Sequence, residues 1–306
     1  MRSYPFNRTT HHFFLFLMLV FLLMGCASPA QAAVQTTSPL PTSTLPTSMP
    51  TDDQLPTPTT DGAGAQRPCE QSGTIQSFNL SSALLNDTLS FNIYFPPCYD
   101  PHATTPYPVI YLLHGQEQDA SLWQDLDIQA AADDLVLNHT RQPFLIVMPV
   151  ERYYFRAPEN NRFPDAILEE LLPWVETHLP ACAQKECRAI GGISRGAAWA
   201  VRLALRNWDV FGALGAHSMP LFDGDLASLP GWLDTIPQAD LPRIYADVGS
   251  TDPAVKDASA FEQTLNSLGI PHEWHLNSGR HNESYWAEQL PAYLAWYTLP
   301  WMEESD

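Results

Sequence analysis

Lysine is nearly missing from this 306-residue chain. Lys185 and Lys256 are the only two, and 15 Lys plus Arg stand against 34 Asp plus Glu, a formal net charge of −19. So acidic a body repels phosphate backbones, which excludes nucleic acid as a partner. Metal-binding spacings are missing as well. No C-x₂-C or H-x₃-H pattern lies near the cysteines, and a structural zinc site needs ligands spaced that closely. No internal repeat is present, so repeat architectures drop out. The apolar run over 13–24 falls short of the roughly 20 residues that a bilayer-spanning helix requires.

That run has another use. Residues 1–26 read MRSYPFNRTTHHFFLFLMLVFLLMGC, with Arg2 and Arg8 ahead of the apolar core. A positive start and a short apolar core are the parts of an export signal. Leu23-Met24-Gly25-Cys26 is similar to the bacterial lipobox, in which the Cys receives a diacylglyceryl group and becomes residue one. The reading is a lipoprotein signal peptide over 1–25, lipidation at Cys26, and membrane contact through the anchor alone. The alternative is ordinary secretory cleavage near 30–33. Both predict export, to the outer face of the cell membrane or beyond it. The leader contains Arg2 and Arg8 and no acid, so its removal takes the charge from −19 to −21.

Residues 26–66 are dominated by Ser, Thr, Pro and Ala, as in SPLPTSTLPTSMP. Such a segment buries too little apolar surface to fold and reads as a disordered, semi-stiff linker. Residues 67–306 are left as one domain, about 240 residues, enough for a sizeable core. Its four cysteines are Cys69, Cys98, Cys182 and Cys187. An even count in an exported chain predicts disulfides. Three pairings are possible. Cys69–Cys98 and Cys182–Cys187 are favoured, the first because it brackets a hairpin and the second because it closes one short loop.

The hairpin is read from strand-like runs over 74–80 and 88–95 around a turn at Asn86-Asp87. Apolar runs then alternate with helical patterns. Strands are expected over 108–113, 144–150, 188–193, 211–216, 243–248 and 272–276. Helices are expected over 121–138, 164–178 with a kink at Pro173, 195–207, 254–268 and 283–297. Continuous apolar strands alternating with helices indicate an α/β fold. Its central sheet is mainly parallel, with helices on both faces and the antiparallel hairpin at its N-terminal end.

The chemistry is concentrated in Gly192-Ile193-Ser194-Arg195-Gly196. This is G-x-S-x-G between an expected strand and an expected helix, the setting of the nucleophile elbow of α/β-hydrolases. Small neighbours, Gly191, Ala197 and Ala198, let strand and helix approach, and the helix N-terminus favours an oxyanion. A serine hydroxyl needs a base, and the base needs an orienting carboxylate, in the order Ser, Asp or Glu, His. Asp252 follows the strand over 243–248. Asp247, inside that strand pattern, is the alternative. His281 lies between the last strand and the last helix and is the expected base. His272 and His275 read as structural or surface residues. The backbone amides of Gln116 and Arg195 are the expected oxyanion donors, with His114 structural beside them. Trp123, Tyr153 and Tyr154 are expected on loops at the substrate pocket, with ordinary packing the alternative.

The segments LLHG, EELLPWVE, GGISRGAAWA, DVGSTD and SGRHNESYW together resemble the putative-esterase family, over residues 72–298. That family includes feruloyl, acetyl-xylan and enterochelin-type esterases, S-formylglutathione hydrolase and mycolyltransferase antigens. The resemblance implies the hydrolase fold, ester or thioester chemistry without a cofactor or metal, and Ser194, Asp252 and His281 as triad. One departure is visible: relatives often carry Ser-Met-Gly-Gly, and this chain has Ser194-Arg195-Gly196-Ala197. The expected function is hydrolysis of a small-molecule or polysaccharide-linked carboxylic ester of feruloyl, acetyl or siderophore type. The alternatives are an acyltransferase, a peptidase, and a non-catalytic binding protein on the same scaffold.

Overall fold

A computed structural model describes Cys69 and residues 71–301. The signal peptide over 1–25, the Cys26 lipidation site and the linker over 26–66 lie outside the described residues. Two strands, β1 (Thr74–Ser82) and β2 (Asp87–Phe95), form the expected antiparallel hairpin. Its turn places Asn86 at φ 53°, a left-handed conformation that Asn tolerates better than most residues. The strands β3 (Val109–Leu113), β4 (Leu145–Pro149), β5 (Arg188–Ile193), β6 (Ala213–His217), β7 (Arg243–Gly249) and β8 (Glu273–Asn277) are mutually parallel. The eight-stranded order is β1-β2-β4-β3-β5-β6-β7-β8, with β2 antiparallel to β4.

The central strands are apolar on both faces because both are covered. In β3, Val109, Tyr111 and Leu113 enter one apolar cluster while Ile110 and Leu112 enter the other. One cluster packs against α1 (Ser121–Asp125), α2 (Ile128–Leu137) and α8 (Glu283–Tyr297). The other packs against α3 (Phe163–Ala166), α4 (Leu172–His178), α5 (Arg195–Arg206), α6 (Asp225–Asp234) and α7 (Val255–Ser267). The disulfides Cys69–Cys98 and Cys182–Cys187 are both formed.

Three elements differ from the sequence expectation. The single helix over 121–138 is two helices, broken by Asp127 at φ 61°. The break re-aims the chain so that Trp123 and Leu126 before it and Ile128 after it are all buried. The helix over 164–178 contains a π-helical turn, Ile167–Leu171, just ahead of Pro173. Proline lacks an N–H and its ring crowds the carbonyl four residues back; widening the turn relieves both problems. The helix α6 lies where the sequence reading assigned no element between the strands over 211–216 and 243–248. It starts after Gly224 in a left-handed conformation and carries Pro230 internally. Arg202 of α5 holds its first residue, Asp225, through Nε and a second guanidinium nitrogen at 2.7–2.9 Å.

Candidate active site

The carboxyl ends of the parallel strands share one edge, and there the loops after β3, β5, β6, β7 and β8 meet. In an open α/β sheet this is where functional groups collect. Ser194 sits between β5 and α5 at φ 55°, ψ −124°. A non-glycine residue in that region is strained, and such strain persists only when its surroundings enforce it. The two motif glycines do so. A Cβ on Gly192 would lie 2.6 Å from the Gly196 carbonyl carbon, and one on Gly196 would collide with the Leu113 and His114 carbonyl oxygens. Ser194 also donates its N–H to the His217 carbonyl at 2.9 Å.

His281, between β8 and α8, presents Nε2 to Ser194 Oγ at 2.8 Å. Its Nδ1 lies 2.9 Å from both carboxylate oxygens of Asp252, just past β7. A carboxylate accepts only, so Nδ1 carries the proton and Nε2 is free to accept the serine hydroxyl. The Asp252 side chain is fully buried and that of His281 26 % exposed. Burial pushes the Asp252 carboxyl upward, but its hydrogen bonds to His281, the Ala254 N–H and the Ser218 hydroxyl outweigh burial and hold it below the usual carboxylate range. The Ala254 N–H donates to Asp252 Oδ1 at 2.7 Å.

Asp247 belongs to a different network. Its Oδ1 is 2.7 Å from His217 Nδ1, and its Oδ2 accepts from Tyr285 Oη at 2.6 Å and Tyr293 Oη at 2.7 Å. His217 Nε2 in turn meets Tyr297 Oη at 2.9 Å. This buried cluster ties β6 and β7 to α8.

Arg195 is the first residue of α5, so its amide has no acceptor within the helix. Gln116 follows Gly115, whose Cβ position lies 3.4 Å from Ser194 Cβ. The Gly115 N–H donates to Gln118 Oε1 at 3.1 Å, and Gln118 Nε2 donates to Glu283 Oε1 at 3.2 Å. His114 is locked beneath this loop. Its Nε2 accepts the Glu151 N–H at 2.8 Å, which leaves Nδ1–H to donate to the Gly115 carbonyl at 2.7 Å. Burial is the main cause of its lowered proton affinity, so it remains neutral.

The Arg195 side chain turns away from Ser194. Its Nε donates to Glu151 Oε2 at 2.9 Å and its terminal nitrogen to Oε1 at 2.8 Å. Glu151, 4 % exposed, also accepts from Trp199 Nε1 at 2.9 Å and Asn161 Nδ2 at 2.5 Å. The departure from Ser-Met-Gly-Gly therefore anchors the loop after β4. Sequence reading missed Glu151; its only signal was an acid directly after an apolar strand. It also missed Ser218, at φ 48° after β6, and Trp286, whose indole N–H donates to Ser218 Oγ at 2.9 Å.

Trp123 is a correction. It is 1 % exposed within the core of α1, so it offers no surface at a pocket. Tyr153 donates its hydroxyl to Asp87 at 2.6 Å and lies under Arg156. Tyr154 lines a groove of about 700 Å³ that also contains Gln118. Among the described residues no group of three or more His, Cys, Asp or Glu is placed to hold a metal ion.

The family model described as Putative esterase matches residues 81–297. An esterase of Mycobacterium tuberculosis is 27 % identical over 245 residues, covering 62 % of this chain and 52 % of that protein. The chain thus spans about half the length of the curated relatives it matches. A solved ferulic acid esterase, 23 % identical, superposes with a TM-score of 0.66 over 74 % of this chain and 98 % of its own. S-formylglutathione hydrolase from Staphylococcus aureus, 19 % identical, superposes with a TM-score of 0.63 over 74 % and 98 %. With the family match running from the hairpin to the end of α8, the chain belongs to the Putative esterase family and has the α/β-hydrolase fold of its carboxylic ester hydrolases.

Proposed function

We propose that this protein is an exported serine esterase in which Ser194 is the nucleophile, His281 the general base and Asp252 the acid that orients it. One observation carries the reading: three side chains from three separate loops form a continuous chain of contacts at 2.8 and 2.9 Å, with the serine strained on a strand-to-helix turn.

Ser194 Oγ attacks the ester carbonyl as its proton passes to His281 Nε2. Asp252 stabilises the resulting imidazolium and fixes its tautomer. The amides of Gln116 and Arg195 receive the charge that develops on the carbonyl oxygen. The carbon–oxygen bond to the alcohol then breaks, and His281 gives its proton to the departing oxygen. Water, deprotonated by His281, attacks the acyl-serine, and collapse releases the carboxylic acid and returns the proton to Ser194. Substrates of feruloyl, acetyl or siderophore-ester type fit this chemistry.

Export through the leader, acylation at Cys26 and a linker over 26–66 ahead of a domain over 67–306 complete the proposal. Two disulfides suit an oxidising compartment. Mass spectrometry of the mature N-terminus checks this part: acylated Cys26 is expected, and an unmodified start near Gln31 or Ala33 contradicts it.

The catalytic assignment is tested with Ser194→Ala on p-nitrophenyl acetate. A loss of about 10⁴-fold or more in kcat with an unchanged fold is expected. Turnover near the unmodified level contradicts it.

A further inference from the structure

The loop that carries His281 is folded around one side chain. It leaves β8 at Asn277 and enters α8 at Glu283. Tyr285, in the first turn of α8, meets it at its start, its middle and its end. Asn277 Nδ2 donates to Tyr285 Oη at 3.3 Å. A Cβ on Gly279 would lie 2.3 Å from the Tyr285 ring, so the backbone rests on the ring and leaves no room for a side chain. The Tyr285 N–H donates to the Asn282 side chain at 3.1 Å. His281 lies between the second and third of these points, and reaches Asp252 and Ser194 from there.

The loop of the proposed acid leans on the same place. The Gly279 carbonyl accepts from the Thr251 N–H at 3.0 Å and from Thr251 Oγ1 at 2.7 Å. Thr251 directly precedes Asp252. A Cβ on Gly249 would lie 2.5 Å from the Gly279 carbonyl. A displaced Tyr285 ring is therefore felt on both sides of the His281–Asp252 contact.

The ring is held through its hydroxyl. That group has one proton to give, and Asp247 Oδ2 takes it at 2.6 Å. Burial, and then the Asp247 charge, push the Tyr285 phenol well above its ordinary value, so it stays protonated and keeps donating. Asp247 is fixed in turn by His217 Nδ1 and by Tyr293 Oη, each at 2.7 Å. Tyr293 donates to the same carboxylate oxygen as Tyr285, but its ring lies on His217, with centroids 3.6 Å apart. His217 and Asp247 are both fully buried, so this second histidine–carboxylate pair is sealed from any substrate.

Resting on the esterase reading above, we propose that Tyr285 is a positioning residue for His281, and that the His217–Asp247 pair serves the reaction by holding the Tyr285 hydroxyl. A misplacement of about 1 Å at a reacting group can cost about 10²-fold in rate. Releasing the ring while leaving it in place should cost less, about ten-fold.

Tyr285→Phe and Tyr293→Phe in the full mature protein test this. Each keeps its ring and removes one hydrogen bond to the same oxygen of Asp247, so a merely stabilising cluster would treat them alike. With p-nitrophenyl acetate, Tyr285→Phe should lower kcat about ten-fold at unchanged KM, and Tyr293→Phe should leave both at the parent values. Gly279→Ala, which presses on the ring from the loop side, should lower kcat in the same way. A second readout needs no turnover. The far-downfield proton resonance of His281 Nδ1–H, identified by its absence from His281→Gln, should broaden through exchange with water in Tyr285→Phe and not in Tyr293→Phe. That difference in a parent that hydrolyses no ester supports the positioning role and counts against the esterase reading alone. Equal changes of kcat in the two tyrosine variants, or parental kcat and an unchanged resonance in Tyr285→Phe, overturn the proposal.

Discussion

Trp286 donates its indole N–H to Ser218 Oγ across 2.9 Å, and Ser218 in turn supports the buried carboxylate of Asp252. The Trp286 ring also stands edge-on to His281, with centroids 5.1 Å apart. Helix α8 thus braces both the proposed acid and the proposed base. The Ser218 backbone is at φ 48°, an uncommon conformation for serine.

Ser218→Ala and Ser218→Gly should therefore both lower kcat, by about ten-fold, with KM little changed, since each removes one hydrogen bond to the carboxylate. They should differ in stability. Glycine adopts positive φ freely and alanine does not, so the alanine variant should be the less stable by about 1 kcal/mol. Equal kcat in the glycine variant and the parent would remove Ser218 from the site.

Asp252→Asn and Asp247→Asn separate the two carboxylates. Asp252→Asn should lower kcat by about 10⁴-fold, because the imidazole loses its orienting acceptor. Asp247→Asn keeps a hydrogen-bonding side chain within the His217–tyrosine cluster and should act on stability before kcat. The reverse ranking of kcat would exchange the two assignments.

Acid titration gives a further check on Asp252. Its folded-state carboxyl is held below the ordinary value of 3.8. A depressed carboxyl contributes stability above its unfolded value, and loses it as pH falls through the folded one. Between about pH 5 and the lower folded-state value, unfolding free energy should drop more steeply in the parent than in Asp252→Asn. Parallel curves would contradict the ionised, hydrogen-bonded Asp252.

The ion pair beside the elbow predicts an asymmetry. Glu151→Ala leaves Arg195 buried without its carboxylate and should cost about 3–5 kcal/mol. Replacing both partners, Arg195→Met with Glu151→Leu, should cost less than the single change, because no charge is then stranded. Thermal denaturation decides; a double variant worse than Glu151→Ala contradicts this account of the Arg195 side chain.

Much of the architecture was legible because its signals are local. The β5 strand over 188–193 and the α8 helix over 283–297 match their sequence limits, since an apolar run and a long helical period need no tertiary knowledge. Asp252 and His281 could be chosen because strand ends position their loops. What could not be read depends on contacts distant in sequence. Glu151 meets Arg195 across 44 positions and Trp286 meets Ser218 across 68. Nor does any local pattern tell that Trp123 faces the core, or that Pro230 sits inside a helix.

The most direct measurement of the central claim is covalent. Trypsin cleavage after Arg188 and Arg195 yields the peptide AIGGISR, in which Ser194 is the only hydroxyl side chain. The protein is treated with p-nitrophenyl acetate, quenched in acid during turnover, and digested. The account predicts an acetyl group on Ser194 of that peptide, absent from Ser194→Ala. Steady turnover with the acetyl group on another residue, or with peptide 189–195 unmodified under inhibitors that trap acyl-serine, would contradict it.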